Sequence, residues 1–334
     1  MPYDLSDRLV VGVASSALFD LSESDAYFTA HGEAKYRIYQ DERIDDILAP
    51  GVAFPFIQRL LSLNDLRPGN ALVEVIILSH NDPMTGLRVM RSVRAHGLDI
   101  TRSVFTQGQS PHDYIGAFEM SLFLTGNRGD VDAAIKAGFP AGHVLPSSAT
   151  YDARDPSLKV AFDFDCVLAD DESERVYREV DGVEEYHEHE AQNSHVPLAP
   201  GLLKPLLAAL NRIQTLEDER KASDPTYAPR LRISLITARN GRALERPVQS
   251  MRAWGVSVND AFFLGGIEKS KVLKVLRPHI FFDDQQVHLD GAIEYIAGVH
   301  IPYGVANVTS PPANTDVAFP PDGALEAEMA DVAG

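Results

Sequence analysis

Two carboxylates, Asp163 and Asp165, stand at i and i+2 in the stretch V-A-F-D-F-D-C-V-L-A-D-D from Val160 to Asp171. Side chains alternate along extended backbone, so i and i+2 share a face. The apolar run Val160-Ala161-Phe162 ahead of them reads as a strand buried in a parallel sheet. The pair therefore points from the C-terminal end of that strand, where open α/β sheets place their chemistry. Two like charges so close need a cation or a shared proton to compensate them. A D-x-D taken alone reads equally as a turn with two solvated aspartates, and the sequence downstream decides between the readings.

Three further strand ends carry the partners such a pair needs. Leu231 to Ile236 reads as a strand ending in Thr237-Ala238-Arg239. Ala261 to Leu264 reads as a strand followed by G-G-I-E-K with Lys269, and Pro278 to Phe282 as one ending in Asp283-Asp284. In a doubly wound sheet these ends converge on the first pair and make a phosphoryl-transfer set. A hard cation such as Mg²⁺ takes carboxylate, water and phosphate oxygens. One carboxylate can attack phosphorus, and a second can serve as acid and then as base. A hydroxyl, backbone N–H groups and a lysine can hold the phosphoryl oxygens. Each signal is weak by itself: a lone Thr after a strand is ordinarily a helix cap, and a lone Lys before a helix is ordinarily solvated.

The elements that must position these residues alternate between strand and helix patterns through both halves of the chain. Leu9 to Phe19, Ala71 to Leu78, Ser103 to Thr106 and Met120 to Leu124 read as strands, with helices at Phe54 to Asn64, Thr85 to His96 and Val131 to Ala137. That order predicts an α/β fold with a doubly wound parallel sheet. A shift of 158 lays R-S-V-R-A-H-G-L at Arg91 on Q-S-M-R-A-W-G-V at Gln249, and S-L-F-L-T-G-N at Ser121 on H-I-F-F-D-D-Q at His279. A shift of 149 lays Val11 on Val160. The register implies an internal duplication. The copies differ in chemistry: Ala14, Ser16, Pro111, Thr125 and Gly126 stand where the second half has Asp163, Asp165, Lys269, Asp283 and Asp284.

The remaining composition narrows the setting. A chain of 334 residues, 45% of them hydrophobic, has material for two cores. The formal net charge of −18 argues against a nucleic-acid polymer or an anionic membrane as partner, so an anionic substrate must be drawn by a local device. The single cysteine, Cys166, excludes an intramolecular disulfide, fits a reducing cytoplasm and reads as a small filler beside Asp165. The N-terminus lacks a basic region followed by a long apolar one, so no signal peptide is expected, and no apolar run approaches a membrane span.

D-F-D-C-V, L-I-T-A-R, G-I-E-K and F-F-D-D, in that order, resemble the four motifs of the haloacid dehalogenase (HAD) superfamily of phosphatases. F-D-x-D-x-V-L-x-x-D-E-S-E-R from Phe162, E-H-E at Glu188, P-L-A-P-G at Pro197, R-P-H-I-F-F-D-D-Q at Arg277 and V-H-I-P-Y-G-V-A at Val299 resemble the cytosolic 5′-nucleotidase type I family. The likeness extends into the first half through A-L-F-D at Ala17.

That resemblance implies a Mg²⁺-dependent hydrolase of nucleoside 5′-monophosphates such as AMP, working through an aspartyl-phosphate. Asp163 would be nucleophile and Asp165 acid/base. Thr237, Ala238, Arg239 and Lys269 would hold phosphate, with Lys271 as competitor because I-E-K-S departs from the expected A-P-K-G. The metal ligands would be Asp163, the carbonyl of Asp165, and Asp284, with Asp283 as alternate. The expected organisation is a degenerate HAD-like half over 1–150, and a catalytic HAD-like domain over 151–310 carrying a cap insertion over about 169–230. A poorly ordered acidic tail is expected over 311–334. Asp171, Glu172, Ser173, Tyr177, Tyr186, His187, His189 and Asn193 are the cap's substrate-reading candidates; the histidines read equally as an exposed helix face and the tyrosines as cap packing. A HAD phosphatase for another small ester, and a nucleotide-binding or assembly protein, are the competing functions. The first half is a candidate surface for homo-oligomer formation or an effector.

Overall fold

The strands that carry the aspartates lie in one ten-stranded sheet, seen in a computed structural model that describes residues 3–179 and 183–307. The tail expected over 311–334 lies outside the described residues. The strands are β1 (Leu9–Val13), β2 (Val73–Ser79), β3 (Arg102–Phe105), β4 (Leu122–Thr125), β5 (Ala141–Val144), β6 (Leu158–Phe162), β7 (Leu231–Thr237), β8 (Asp260–Phe263), β9 (Ile280–Asp283) and β10 (Gly298–His300). Their order is β3-β2-β1-β4-β5-β10-β9-β6-β7-β8. Every pairing is parallel except β5 with β10, where Val299 faces Val144 and His300 faces His143. The chain is thus an α/β protein whose two half-sheets share one strand order and meet edge to edge. Because that seam is antiparallel, the strand ends of the two halves point in opposite senses.

The central strands are predominantly apolar because helices cover both faces. In β1 every residue of L-V-V-G-V is buried, and in β2 every residue of V-E-V-I-I-L-S. One hydrophobic cluster runs through both halves, taking in Val11, Val75, Phe56, Val160, Leu207 and Phe282. The helix Phe54–Ser62 packs against β6 as well as β2, and the helix Lys204–Ser223 against β1. The opposite face carries separate clusters, around Phe123 in the first half and Phe281 in the second.

The correspondence between halves is closer than the sequence suggests. A shift of 149 carries β1 onto β6, and one of 158 carries β2, β3 and β4 onto β7, β8 and β9, end for end. The helix Ser22–Glu42, kinked at Gly32, corresponds to Glu172–Gln192, the span of the two cap helices Glu172–Glu179 and Val183–Gln192. The cap is therefore no insertion peculiar to the second half. The additional length there sits in the helix Lys204–Ser223, which is 20 residues long against 9 for Phe54–Ser62.

Each cap is tied down by an isolated antiparallel bridge, Phe19 to Pro50 in one half and Ala169 to Pro200 in the other. The backbones approach so closely there that a Cβ on Gly201 would lie 2.3 Å from the Ala169 carbonyl oxygen. Gly201→Ala must push the two bridged segments apart, a cost of roughly 1–3 kcal/mol. Thermal denaturation should register it as a lower Tm; a Tm equal to wild type would show that the bridge can open without cost.

Candidate active site

Asp163 follows β6 and Asp283 closes β9, and both point into protein that excludes water. Asp163 is 5% exposed, Asp283 0% and Asp284 2%. Ligand oxygens of the three lie within 4.8 Å of one another. Lys269, first residue of the helix Lys269–Leu276 and itself 2% exposed, places Nζ 2.8 Å from Asp163 Oδ2 and 2.7 Å from Asp283 Oδ2. Burial works against its charge, yet Asp163 and Asp283 override that and hold the ammonium above its ordinary range. Lys271, the competitor, is exposed beside Glu268 and reaches none of these groups.

The two adjacent aspartates of β9 are not equivalent. Asp283 accepts from Lys269 Nζ, from the Gln285 N–H at 2.8 Å and lies 3.2 Å from His288 Nδ1. Burial raises its affinity for protons, but Lys269 and His288 outweigh it and the carboxyl lies below the usual carboxylate range. Asp284 Oδ2 is buried with no hydrogen-bond partner among the described residues. Burial, then Asp163 and Asp283, push its carboxyl up to about 9. Burial likewise raises Asp163, with Lys269 pulling against it. A buried, unpartnered carboxylate oxygen beside two more carboxylates is a donor set that fits a hard cation.

Asp165 lies outside this cluster. Arg239, which follows Thr237 at the end of β7, donates Nε to its Oδ2 at 2.8 Å and Nη2 to its Oδ1 at 2.7 Å. The same guanidinium donates Nη1 to Glu190 of the cap and Nη2 to Ser173 Oγ at 2.6 Å. Arg246 donates Nη1 to the other Glu190 oxygen at 2.9 Å and Nη2 to Glu172 at 2.6 Å. Burial opposes the charge on Glu190, yet Arg239 and then Arg246 hold it below the usual range. Arg239 is expected to meet phosphate; its side chain instead meets carboxylates, supplying the counter-charge of the partly buried Asp165 and sharing the buried Glu190 with Arg246. Thr237 is 1% exposed and its Oγ1 accepts from the Arg239 N–H at 3.2 Å.

Above these groups lies a cavity of about 390 Å³ lined by Asp163, Asp165, Thr237, Ala238 and Arg239 below and by cap residues above. Of the cap candidates, Ser173, Tyr177, Tyr186 and His187 line it. Tyr177 and Tyr186 meet edge to face at 5.4 Å, and Asn240 Nδ2 donates to His187 Nε2 at 2.9 Å. Asp171, Glu172, His189 and Asn193 do not line it. Asp171 pairs with Arg175, Glu172 with Arg246, His189 lies 3.6 Å from Glu190, and Asn193 bonds back to the His189 carbonyl at the helix end. Cys166, beside Asp165, adopts φ 60°, and burial pushes its thiol up, which fits a filler and not a nucleophile.

Glu174, Glu190 and Gln285 stand within the quoted motifs but have no role assigned to them from sequence, and Arg246, Asn240 and His288 are missed altogether. Glu190 and Arg246 pair across 56 positions of chain, so no local pattern exposes them. His288 stands one helical turn beyond the aspartates of β9, a spacing that could have drawn notice.

Comparison with known proteins bears on the whole chain. A family profile described as "5′-nucleotidase" matches residues 1–308. The chain is 32% identical over 292 residues to the human protein "Cytosolic 5′-nucleotidase 1B", covering 86% of this chain and 47% of that relative. It thus spans about half that relative's length. Among solved structures, histidinol dehydrogenase from Elizabethkingia anophelis matches at 10% identity, with TM-score 0.21, over 73% of this chain and 49% of that one; so slight a likeness carries no argument. No helix among the described residues is long and apolar enough to cross a membrane.

A carboxyl whose proton affinity is raised by folding stabilises the fold while protonated. Its contribution is present below the ordinary carboxylate range and is lost as pH rises through the raised value. Without divalent cations, Asp284→Asn should therefore flatten the fall in Tm between about pH 5 and about pH 9. Identical pH profiles for variant and wild type would show that Asp284 is not strained by burial. Glu190→Leu should cost roughly 3–5 kcal/mol in denaturant unfolding, since it leaves Arg239 and Arg246 buried beside too few carboxylates. A loss under about 1 kcal/mol would mean that water replaces it.

Proposed function

The chain belongs to the 5′-nucleotidase family, and from that premise we propose that it hydrolyses nucleoside 5′-monophosphates, with AMP the reference substrate, through an aspartyl-phosphate on Asp163. The observation that carries this reading is Asp163 itself, at a strand end beneath a capped cavity, with Lys269 2.8 Å from its Oδ2 and the unpartnered Asp284 oxygen nearby.

Asp163 is the nucleophile: one carboxylate oxygen bonds phosphorus as the bond from phosphorus to the 5′-oxygen breaks. Asp165 gives its proton to the departing 5′-oxygen and then takes one from the water that cleaves the aspartyl-phosphate. Arg239 orients Asp165; because both carboxylate oxygens accept from the guanidinium, a proton on Asp165 must displace one of those bonds. Lys269 has three donors, two of them used by Asp163 and Asp283, so one remains for a phosphoryl oxygen. Thr237 and Ala238 offer a hydroxyl and backbone N–H groups to the other oxygens.

Asp163, the backbone carbonyl of Asp165, and Asp284 are the proposed ligands of a Mg²⁺ ion, which would supply positive charge against the phosphoryl oxygens. Asp284 is preferred to Asp283 because Asp283 already accepts from Lys269, Gln285 and lies against His288, whereas Asp284 keeps a free oxygen. Tyr177 and Tyr186 are placed to stack on a base and Ser173 and His187 to read polar groups. The name of the human relative and the single cysteine support a cytosolic location. The mirrored strand order supports reading residues 1–150 as a degenerate copy of the catalytic half.

Asp163→Asn should abolish AMP turnover, by at least about 10³-fold, with Tm retained. Asp165→Asn should slow AMP hydrolysis far more than hydrolysis of an aryl phosphate whose leaving group needs no proton. Equal losses on both esters would remove Asp165 as the acid. Activity titrated against Mg²⁺ should shift strongly with Asp284→Asn; a shift confined to Asp283→Asn would reverse the ligand assignment.

A further inference from the structure

The larger of the two strand-end cavities lies in the half that has no catalytic carboxylates. It measures about 700 Å³, against about 390 Å³ in the other half, and both fall within the range of small-molecule sites. Its floor is formed by Ser16, Ser79, Thr125 and Gly126 at the ends of β1, β2 and β4, and its roof by Phe28 and Tyr36 of the helix Ser22–Glu42.

The two cavities share one plan. Ser79 holds the Asn81 N–H at 3.2 Å as Thr237 holds the Arg239 N–H. Tyr36 stands in the position of Tyr186. The strut between cap and sheet is retained without its charge on the cap: Arg88 donates to Gln40 at 3.1 Å where Arg246 donates to Glu190. Only the chemistry is gone, and it is replaced by smaller groups. Ala14, Ser16 and Gly126 occupy the places of Asp163, Asp165 and Asp284, and their loss of bulk opens the floor. Protein interiors ordinarily close such space with side chains. Here an aromatic roof, with Phe28 and Tyr36 edge to face at 5.3 Å, covers a floor of hydroxyl groups. Arg37, paired with Glu33 and Asp82, and Arg128 bring positive charge to the rim, and burial raises the proton affinity of Asp25, the third carboxylate of the lining.

We propose that this cavity is a second, non-catalytic binding site for a ligand of the nucleoside-phosphate class, taken up without a metal ion. The aromatic roof suits a planar base, and the hydroxyl floor suits ribose and phosphate oxygens. The ligand class rests on the nucleotidase reading of the catalytic half, because the shared plan is what transfers it.

The test uses the full chain carrying Asp163→Asn, in the presence of EDTA, with AMP, adenosine and inorganic phosphate titrated separately by calorimetry. AMP should bind, and binding should weaken about tenfold or more on adding Ser16→Tyr or Tyr36→Ala while Tyr186→Ala leaves it within about twofold. Adenosine should bind more weakly than AMP. Ser16 is exposed, so a tyrosine there projects into the cavity and not into the core. Ser16→Tyr in the otherwise wild-type enzyme should keep Mg²⁺-dependent AMP hydrolysis, which checks that the fold is intact. Absence of metal-free AMP binding overturns the proposal. So does binding abolished by Tyr186→Ala and untouched by Ser16→Tyr, or phosphate alone binding as well as AMP. Failure of the catalytic reading shows separately, as a wild-type chain that binds AMP but does not hydrolyse it with Mg²⁺.

Discussion

The double ion pair of Lys269 with Asp163 and Asp283 is the interaction on which the site of the second half depends. It brings one ammonium between two aspartates that are buried almost completely, and without it Asp163 and Asp283 would repel each other in a medium that screens charge poorly. The strand geometry forces that closeness, because β6 and β9 are neighbours and their ends lie side by side. The helix that begins at Lys269 is placed by the β8 loop just where the ammonium can reach both. Arg239 answers the same problem one strand further on, taking Asp165 and Glu190 together. The site is therefore a set of paired charges built at strand ends, with one acid left over: Asp284.

The central strands and the site aspartates are legible in the sequence because a buried parallel strand leaves a continuous apolar run and its end leaves a cluster of polar residues. Val160 to Phe162 followed by Asp163 is such a pattern, and so is Ile280–Asp283. The seam is not legible. Ala141–Val144 and Gly298–His300 are short and contain glycine and histidine, with no apolar run to mark them. Yet their antiparallel pairing is what makes two half-sheets into one sheet. The helix Ser22–Glu42 is hidden for another reason: it is mostly exposed and has almost no apolar stripe, so its sequence reads as mixed and charged. The pairing around Glu190 is not legible because its members, Asp165, Glu172 with Ser173, Glu190, and Arg239 with Arg246, come from four separate segments.

The seam also brings the halves into chemical contact. Arg128, at the start of the helix Arg128–Lys136, donates to His300 Nδ1 at 3.1 Å, and His300 Nε2 lies 2.8 Å from the Asp284 carbonyl oxygen. An arginine can only donate, so Nδ1 accepts and Nε2 carries the proton toward Asp284. This fixes the tautomer of His300. Asn307 donates to the same carbonyl at 2.9 Å. The backbone that presents Asp284 is thus braced from the β10 side, partly by a residue belonging to the other half.

That bracing bears on why the first half shares the form of the second without its strand-end carboxylates. If it served only as bulk, substitutions would be free to fill its strand-end space, and the cap over it would have no reason to persist. Instead the bridge Phe19 to Pro50, the strut Arg88 to Gln40 and the roof tyrosine all stand in register with their catalytic counterparts. Ser92 Oγ accepts from the Leu48 N–H at 3.0 Å as Ser250 Oγ accepts from the Leu198 N–H at 2.9 Å. Buried polar contacts of this kind are costly to break singly, so they hold the cap of each half over its sheet. The halves differ most at the floor, where charge without a cation would be the largest cost and where Ala14, Ser16 and Gly126 carry none. An uncharged floor and an open, roofed cavity are then two consequences of the same three residues.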